Sequence, residues 1–333
     1  MPQRKIIFEC RSGSHLYGTN RPESDEDFLG VFLPSSEDMF SLGNCPTEWT
    51  MNEKKSTGAR NAKGDVDRKF YSVPKFLNLL GQGQPWALEL VFAPQNMIIT
   101  ATADWEIIVN CQYYYLSKNS ISPFIGFAKA QAYKATLKGE NLNLVRRLID
   151  GIGDLTTAGL NCTIDDYALR DEATLPLTEV QFLGETLKVE QSQYRPGVFM
   201  DNIVVAGRKF EFTKKIKHMK SQLQTLEAEY GTRSEAAAKA GYDFKSLLHA
   251  YRLIGEAKEL LATGKMSMPR PPDEIELLKK IRDGEYEADF FQEIEDRIAE
   301  VKAIKSDLPD SANWSMINEV CRSLMEMHLV TGR

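Results

Sequence analysis

The sequence predicts an α/β (α+β) N-terminal domain built on a mixed sheet, followed by a mainly α-helical C-terminal domain with a small β insertion. Three observations predict it. Short apolar runs at 6–8 and 28–33 are set off by glycine, serine, asparagine, aspartate and proline, as strands are. From about Trp105 apolar residues recur at three- and four-residue spacing, the period of a helix with one buried face. Between about 153 and 211 the period falls to two, in runs such as 197–205 and 209–212 separated by Pro and Gly. The expected division is 1–105 and 106–333, with the insertion at about 153–211, and 333 residues suffice for two cores.

The first strand, 6–8, runs into Gly13-Ser14. A glycine there lets backbone N–H groups approach a polyphosphate closely. Asp25 and Asp27 stand two apart at the head of the run 28–33, so an extended backbone points both to one face. Carboxylate oxygens suit Mg²⁺, which is usually held by one or two protein carboxylates plus substrate phosphates. Neither feature is specific alone: Gly-Ser is common, and Asp-x-Asp often marks a turn or a solvated strand end. In the order strand, Gly-Ser, short helix, Asp-x-Asp strand, they form a phosphate-and-metal layout.

A polar stretch follows to about Gly64, and its basic, glycine-containing tip at 52–64 reads as a solvated hairpin tip or as a loop closing over phosphates. Residues 65–71 read as a strand leading to Ser72, a candidate N-cap for a helix over 73–80. On that strand Asp65, Asp67, Lys69 and Tyr71 share one face. The apolar run 84–92 reads as core, and Glu89, isolated within it, reads first as a capped or paired structural charge and otherwise as a partner supporting a site residue. Helices are expected at 121–138, 141–152 and 214–229. Lys129, Lys134, Lys138, Arg146 and Arg147 on the first two fit a solvated face as well as a nucleic-acid track.

The second informative stretch begins at Asp243, a candidate N-cap. Lys245, His249, Arg252 and Glu256 then fall at i, i+4, i+7 and i+11, one polar stripe beside an apolar one of Phe244, Leu247, Leu248, Tyr251 and Ile254. Such a stripe serves either as a solvated face or as the cationic wall of a triphosphate channel, where ammonium and guanidinium groups offset the charge building on pyrophosphate.

Composition narrows the field. A formal net charge of −6 argues against a generally basic nucleic-acid coat and leaves room for a local basic groove. Cys10, Cys45, Cys111, Cys162 and Cys321 lack Cys-x-x-Cys spacing, so neither a zinc site nor a disulfide framework is supported. No apolar run approaches the length of a membrane span and no signal sequence opens the chain, so the expected compartment is the cytoplasm.

The stretch from Gly13-Ser14-His15-Leu16-Tyr17-Gly18-Thr19 to Asp25-Glu26-Asp27 resembles the DNA polymerase β-type nucleotidyltransferase superfamily, and within it a bacterial and phage branch in part associated with RNA repair. The resemblance extends to 84–92, the Lys, His, Arg helix, Pro269-Arg270-Pro271, the 281–285 segment and Leu308-Pro309. For a phage protein the compartment would be the host cytoplasm. The resemblance implies transfer of a nucleoside monophosphate from an NTP to an acceptor hydroxyl, most of all on RNA or tRNA, with Mg²⁺ or Mn²⁺ and release of pyrophosphate. It implies metal ligation by Asp25, Asp27 and a third acid from a neighbouring strand. That acid is Asp67, deeper in the strand, with Asp65 as the alternative. Gly13, Ser14, Lys245, His249 and Arg252 would then contact the nucleotide. A protein or small-molecule acceptor, and a silent nucleotide-binding partner, are the other readings.

Overall fold

A computed structural model of the chain describes residues 4–22, 24–40, 42, 45–53, 66–170, 177–195, 197–230 and 232–331. Asp65 and most of the expected loop tip at 52–64 lie outside the described residues. By internal contacts the chain divides into one unit of Met1–Ala132 with Leu248–Arg333 and a second of Tyr133–Leu247. This division differs from the boundary expected near 105, because the C-terminal helices belong with the N-terminal sheet. Helical spacing reveals where a helix begins but not which core it joins.

The first unit is built on strands β1 (Lys5–Arg11), β2 (Glu26–Leu33), β3 (Glu48–Glu53), β4 (Val66–Ser72) and β5 (Ile98–Ala101), in the order β3-β4-β2-β1-β5. β1 runs antiparallel to β2 and β5, and β3 antiparallel to β4. β2 and β4 are parallel, so the sheet is mixed. β3 lies within the stretch that read only as polar.

Alternation gives the sheet two different faces. Phe8, Val31 and Tyr71 point to the helices Val73–Gly81, Pro85–Val91 and Ala103–Asn110. There Phe8 stacks on Trp105 at 3.8 Å between centroids and Tyr71 lies 4.4 Å from Trp86. Phe28, Phe32 and Phe70 point the other way, where Arg68 is 4.3 Å from the Phe28 centroid, Arg4 is 5.6 Å from that of Phe32 and Trp49 lies 5.4 Å from Phe70. Ser72 does stand at the N-cap of the helix Val73–Gly81, but its side chain makes no capping bond; Pro74 in the first turn supplies the start instead. Helix Trp314–Thr331 runs against Val73–Gly81, bringing the Trp314 ring so near Gly81 that a Cβ there would sit 2.6 Å from it.

The second unit carries the β insertion as a meander, β6 (Ala168–Leu169), β7 (Glu179–Phe182), β8 (Glu185–Arg195), β9 (Val198–Val205) and β10 (Arg208–Glu211), each antiparallel to the next. Its inner residues, among them Val180, Phe182, Ile203 and Phe210, share a core with Leu148 and Ile152 from one helix and Met219 and Leu223 from another. The helices expected at 121–138 and 141–152 form one continuous helix, Ile121–Gly153. Gly139 does not break it; a Cβ there would lie 2.5 Å from the Ala237 carbonyl oxygen, so the glycine allows a close approach. Among the described residues, no helix is long and apolar enough to cross a membrane.

Phe8 is fully buried and stacked, so Phe8→Ala is expected to cost about 3–5 kcal/mol of stability. Urea denaturation followed by tryptophan fluorescence measures the loss.

Candidate active site

The candidate residues of the N-terminal motif gather at one end of the sheet. β1 ends at Arg11, opposite Phe28 of β2. Ser12 closes the corner: its N–H and its Oγ both donate to the Asp27 carbonyl oxygen, at 2.8 and 3.1 Å. Gly13 then takes φ 64°, ψ −142°, a backbone that L side chains rarely adopt. A Cβ at Gly13 would lie 3.2 Å from the Asp27 carboxylate oxygen Oδ2, so the turn passes directly by that side chain. Ser14 opens a helix of 4 residues, Ser14–Tyr17.

Strand register brings in the third acid. Asp27 of β2 and Asp67 of β4 are Cα partners in the parallel pair, so both side chains leave the same face of neighbouring strands. Asp27 is exposed and Asp67 half-buried. Asp25 sits just before β2 and is exposed. Asp65, the alternative to Asp67, is not among the described residues. Among those described, no three His, Cys, Asp or Glu side chains are grouped closely enough to hold a metal by themselves.

The helix stripe is divided. Lys245 is exposed and belongs to the second unit, whereas His249 and Arg252 belong to the first. His249 is half-buried. Arg252, expected beside the nucleotide, is instead inside the protein. Its Nη1 donates to Glu89 Oε1 at 2.6 Å and to Glu256 Oε1 at 2.5 Å, and its Cζ lies 3.8 Å over the Tyr17 ring. The Tyr17 hydroxyl donates to the other oxygen of Glu89 at 2.7 Å. Spacing alone could not show this, because both stripes of the helix are buried at this turn.

Other C-terminal residues hold the same segment. The Arg270 N–H donates to the Tyr17 carbonyl oxygen at 3.2 Å. Pro269 and Ile275 fill the space where Gly18 would carry a Cβ, at 3.0 and 2.8 Å, and Gly18 has φ 78°. Arg282 donates to the Thr19 carbonyl oxygen and Arg21 pairs with Asp283. Tyr17, Arg270 and Arg282 were not read as site-supporting residues from sequence. The available signal was Glu89, a charge alone in an apolar run that requires a buried partner.

Electrostatics in this cluster follow from one cation facing two carboxylates. Burial and the neighbouring Glu89 push the Glu256 carboxyl up to about 8, against the pull of Arg252. Desolvation works against the charge of Arg252, but Glu256 and Glu89 outweigh it and hold its pKa above the usual arginine range. Burial carries the Tyr17 hydroxyl well above the usual tyrosine value, so it remains a donor. Apart from these residues, a cleft of about 510 Å³ is lined by Tyr251, Lys258, Glu259, Arg270 and Arg297 among others, and it contains none of the candidate carboxylates.

The profile of the RNA repair pathway DNA polymerase beta family matches residues 2–149. That segment is similar to the family. The match spans every residue of the Gly-Ser and Asp-x-Asp motif and Asp67, and the family suggests a nucleotidyltransferase. The chain is also similar to an uncharacterised 38.9 kDa protein from the nrdC-mobD intergenic region of Enterobacteria phage T4, 27% identical over 315 residues covering 91% of this chain and 90% of the relative. This similarity supports the bacterial and phage branch. No solved structure matches the chain.

A carboxyl whose folded pKa lies near 8 and whose unfolded value is about 4.5 binds more protons folded than unfolded between those values. Its contribution is therefore full below about pH 4.5 and is lost as pH rises through about 8. Thermal unfolding should show stability falling as pH rises over this window, with Glu256→Gln removing that part of the slope.

Proposed function

We propose that the protein is a metal-dependent nucleotidyltransferase that moves a nucleoside monophosphate from an NTP to a hydroxyl of RNA or tRNA. The observation that carries this reading is the facing of Asp27 and Asp67 across β2 and β4, beside a glycine turn that passes close to the Asp27 carboxylate.

The donor set fits Mg²⁺ or Mn²⁺: all three groups are carboxylates, and one or two of them suffice when substrate phosphates complete the shell. Asp25, Asp27 and Asp67 would hold the cations, which when bound offset the negative charge of the triphosphate and of the transition state. Gly13 and Ser14 donate to the β- and γ-phosphates from the backbone and the Ser14 hydroxyl. Asp67 accepts the proton of the acceptor hydroxyl. That oxygen bonds to the α-phosphorus, the bond from the α-phosphorus to the bridging oxygen breaks, and pyrophosphate carries away the electron pair. His249 is the proposed cationic contact from the helix Phe244–Thr263. Arg252 is not assigned to the phosphates, since two carboxylates already occupy its Nη1.

The net charge of −6 favours a second reading for the acceptor, a protein or a small molecule in place of a long polyanion. Incubation of the full chain with each α-labelled NTP, Mg²⁺ or Mn²⁺, and separated RNA, protein and metabolite fractions tests both. Label in RNA supports the first reading and label on polypeptide or metabolite the second. NTP binding without pyrophosphate release would leave only a silent nucleotide-binding partner.

Asp25→Asn, Asp27→Asn and Asp67→Asn should each lower transfer at least about a hundredfold, because each removes a metal-directed charge. Circular dichroism and the thermal midpoint should stay close to the parent. Full activity in an Asp25→Asn, Asp27→Asn double variant would end this mechanism.

A further inference from the structure

We propose that Tyr17, Glu89 and Arg252 are positioning residues that set the Gly13-Ser14 turn against Asp27, an inference that rests on the nucleotidyl-transfer reading.

The geometry begins with the shortness of the helix. A helix of 4 residues has too few internal bonds to fix its own position. Its ends are tied locally, Tyr17 N–H to the Gly13 carbonyl at 3.2 Å and Thr19 N–H to the Ser14 carbonyl at 2.9 Å, so Ser14 and Tyr17 move as one rigid turn. What fixes that turn to the unit is the Tyr17 side chain. Its hydroxyl donates to Glu89 at 2.7 Å, and its face is held by the Arg252 guanidinium at 3.8 Å. Glu89 and Arg252 are in turn joined at 2.6 Å. Two directions of contact on one ring define its place and tilt, and the opposite end of the same turn carries the proposed phosphate donor.

The choice of charges supports the same role. Filling a core with an ion pair seldom gives more stability than well-packed apolar side chains, because desolvation offsets the attraction. This cluster even leaves Arg252 Nε and Glu256 Oε2 buried with no hydrogen-bond partner. Charged groups supply direction at that cost, and here the direction is toward one tyrosine.

The test compares the parent protein with Tyr17→Phe and Glu89→Gln, and includes Arg252→Lys, which keeps the charge and loses the planar fork. Tyr17→Phe keeps the ring under Arg252 and deletes a single bond, so it is the variant least disposed to unfold. Steady-state transfer should show KM for the NTP raised about tenfold with kcat within about twofold, while the thermal midpoint changes little. Glu89→Gln should move KM the same way. A lowered midpoint with unchanged KM in both variants would make the cluster mere scaffold and overturn the proposal. Binding of Mg²⁺–ATP by calorimetry separates this failure from that of the underlying reading. A parent that binds ATP but transfers nothing contradicts the transfer reading, while weaker binding by Tyr17→Phe still upholds positioning. A parent with no ATP binding removes both.

Discussion

One buried cation with two carboxylates to satisfy it joins parts of the chain that are far apart. Glu89 and Arg252 are separated by 163 positions and meet at 2.6 Å, with the Tyr17 ring facing the guanidinium. Removing one member of such a pair leaves an uncompensated buried charge, which typically costs about 3–5 kcal/mol, so the three segments must assemble together. Around this link the remaining ties fall into place: Arg270 on Tyr17, Arg282 on Thr19, Pro269 and Ile275 against Gly18. The C-terminal helices of the first unit thereby become the support of a motif that lies near the N-terminus.

At the sheet end the fold carries an electrostatic burden. Like charges facing each other on neighbouring strands destabilise a sheet, and Asp27 faces Asp67 in register. In the proposed reading a divalent cation offsets that repulsion, and the glycine turn lets the backbone pass close to the Asp27 carboxylate. A local rule broken in this way, next to a backbone that only glycine adopts readily, is the pattern that binding sites show.

Much of this was legible in the amino-acid order. Alternation and Gly-Ser placed β1, β2 and β4, whereas the pairing of Asp27 with Asp67 comes from the strand register, which the amino-acid order does not give. The β insertion was visible because its strands alternate. What failed was of three kinds. β3 is short, Glu48–Glu53, and its one alternation, Trp49 and Met51 between polar residues, is too brief to stand out from the polar stretch around it until β4 pairs with it. The helix Ile121–Gly153 looked interrupted at Gly139, where the glycine serves a neighbour's backbone and not a turn. Arg252 looked like a phosphate ligand because residue spacing gives the angle around a helix but not what stands opposite. Glu89, in contrast, announced a buried partner by its isolation, although it could not say which one.

The most direct test is a titration of Mn²⁺ into the full chain with ATP present, followed by electron paramagnetic resonance, in the parent and in an Asp27→Asn, Asp67→Asn double variant. Metal-dependent nucleotidyl transfer at this sheet end predicts ATP-dependent loss of the free Mn²⁺ signal in the parent and little in the variant. Equal binding by both proteins would contradict it.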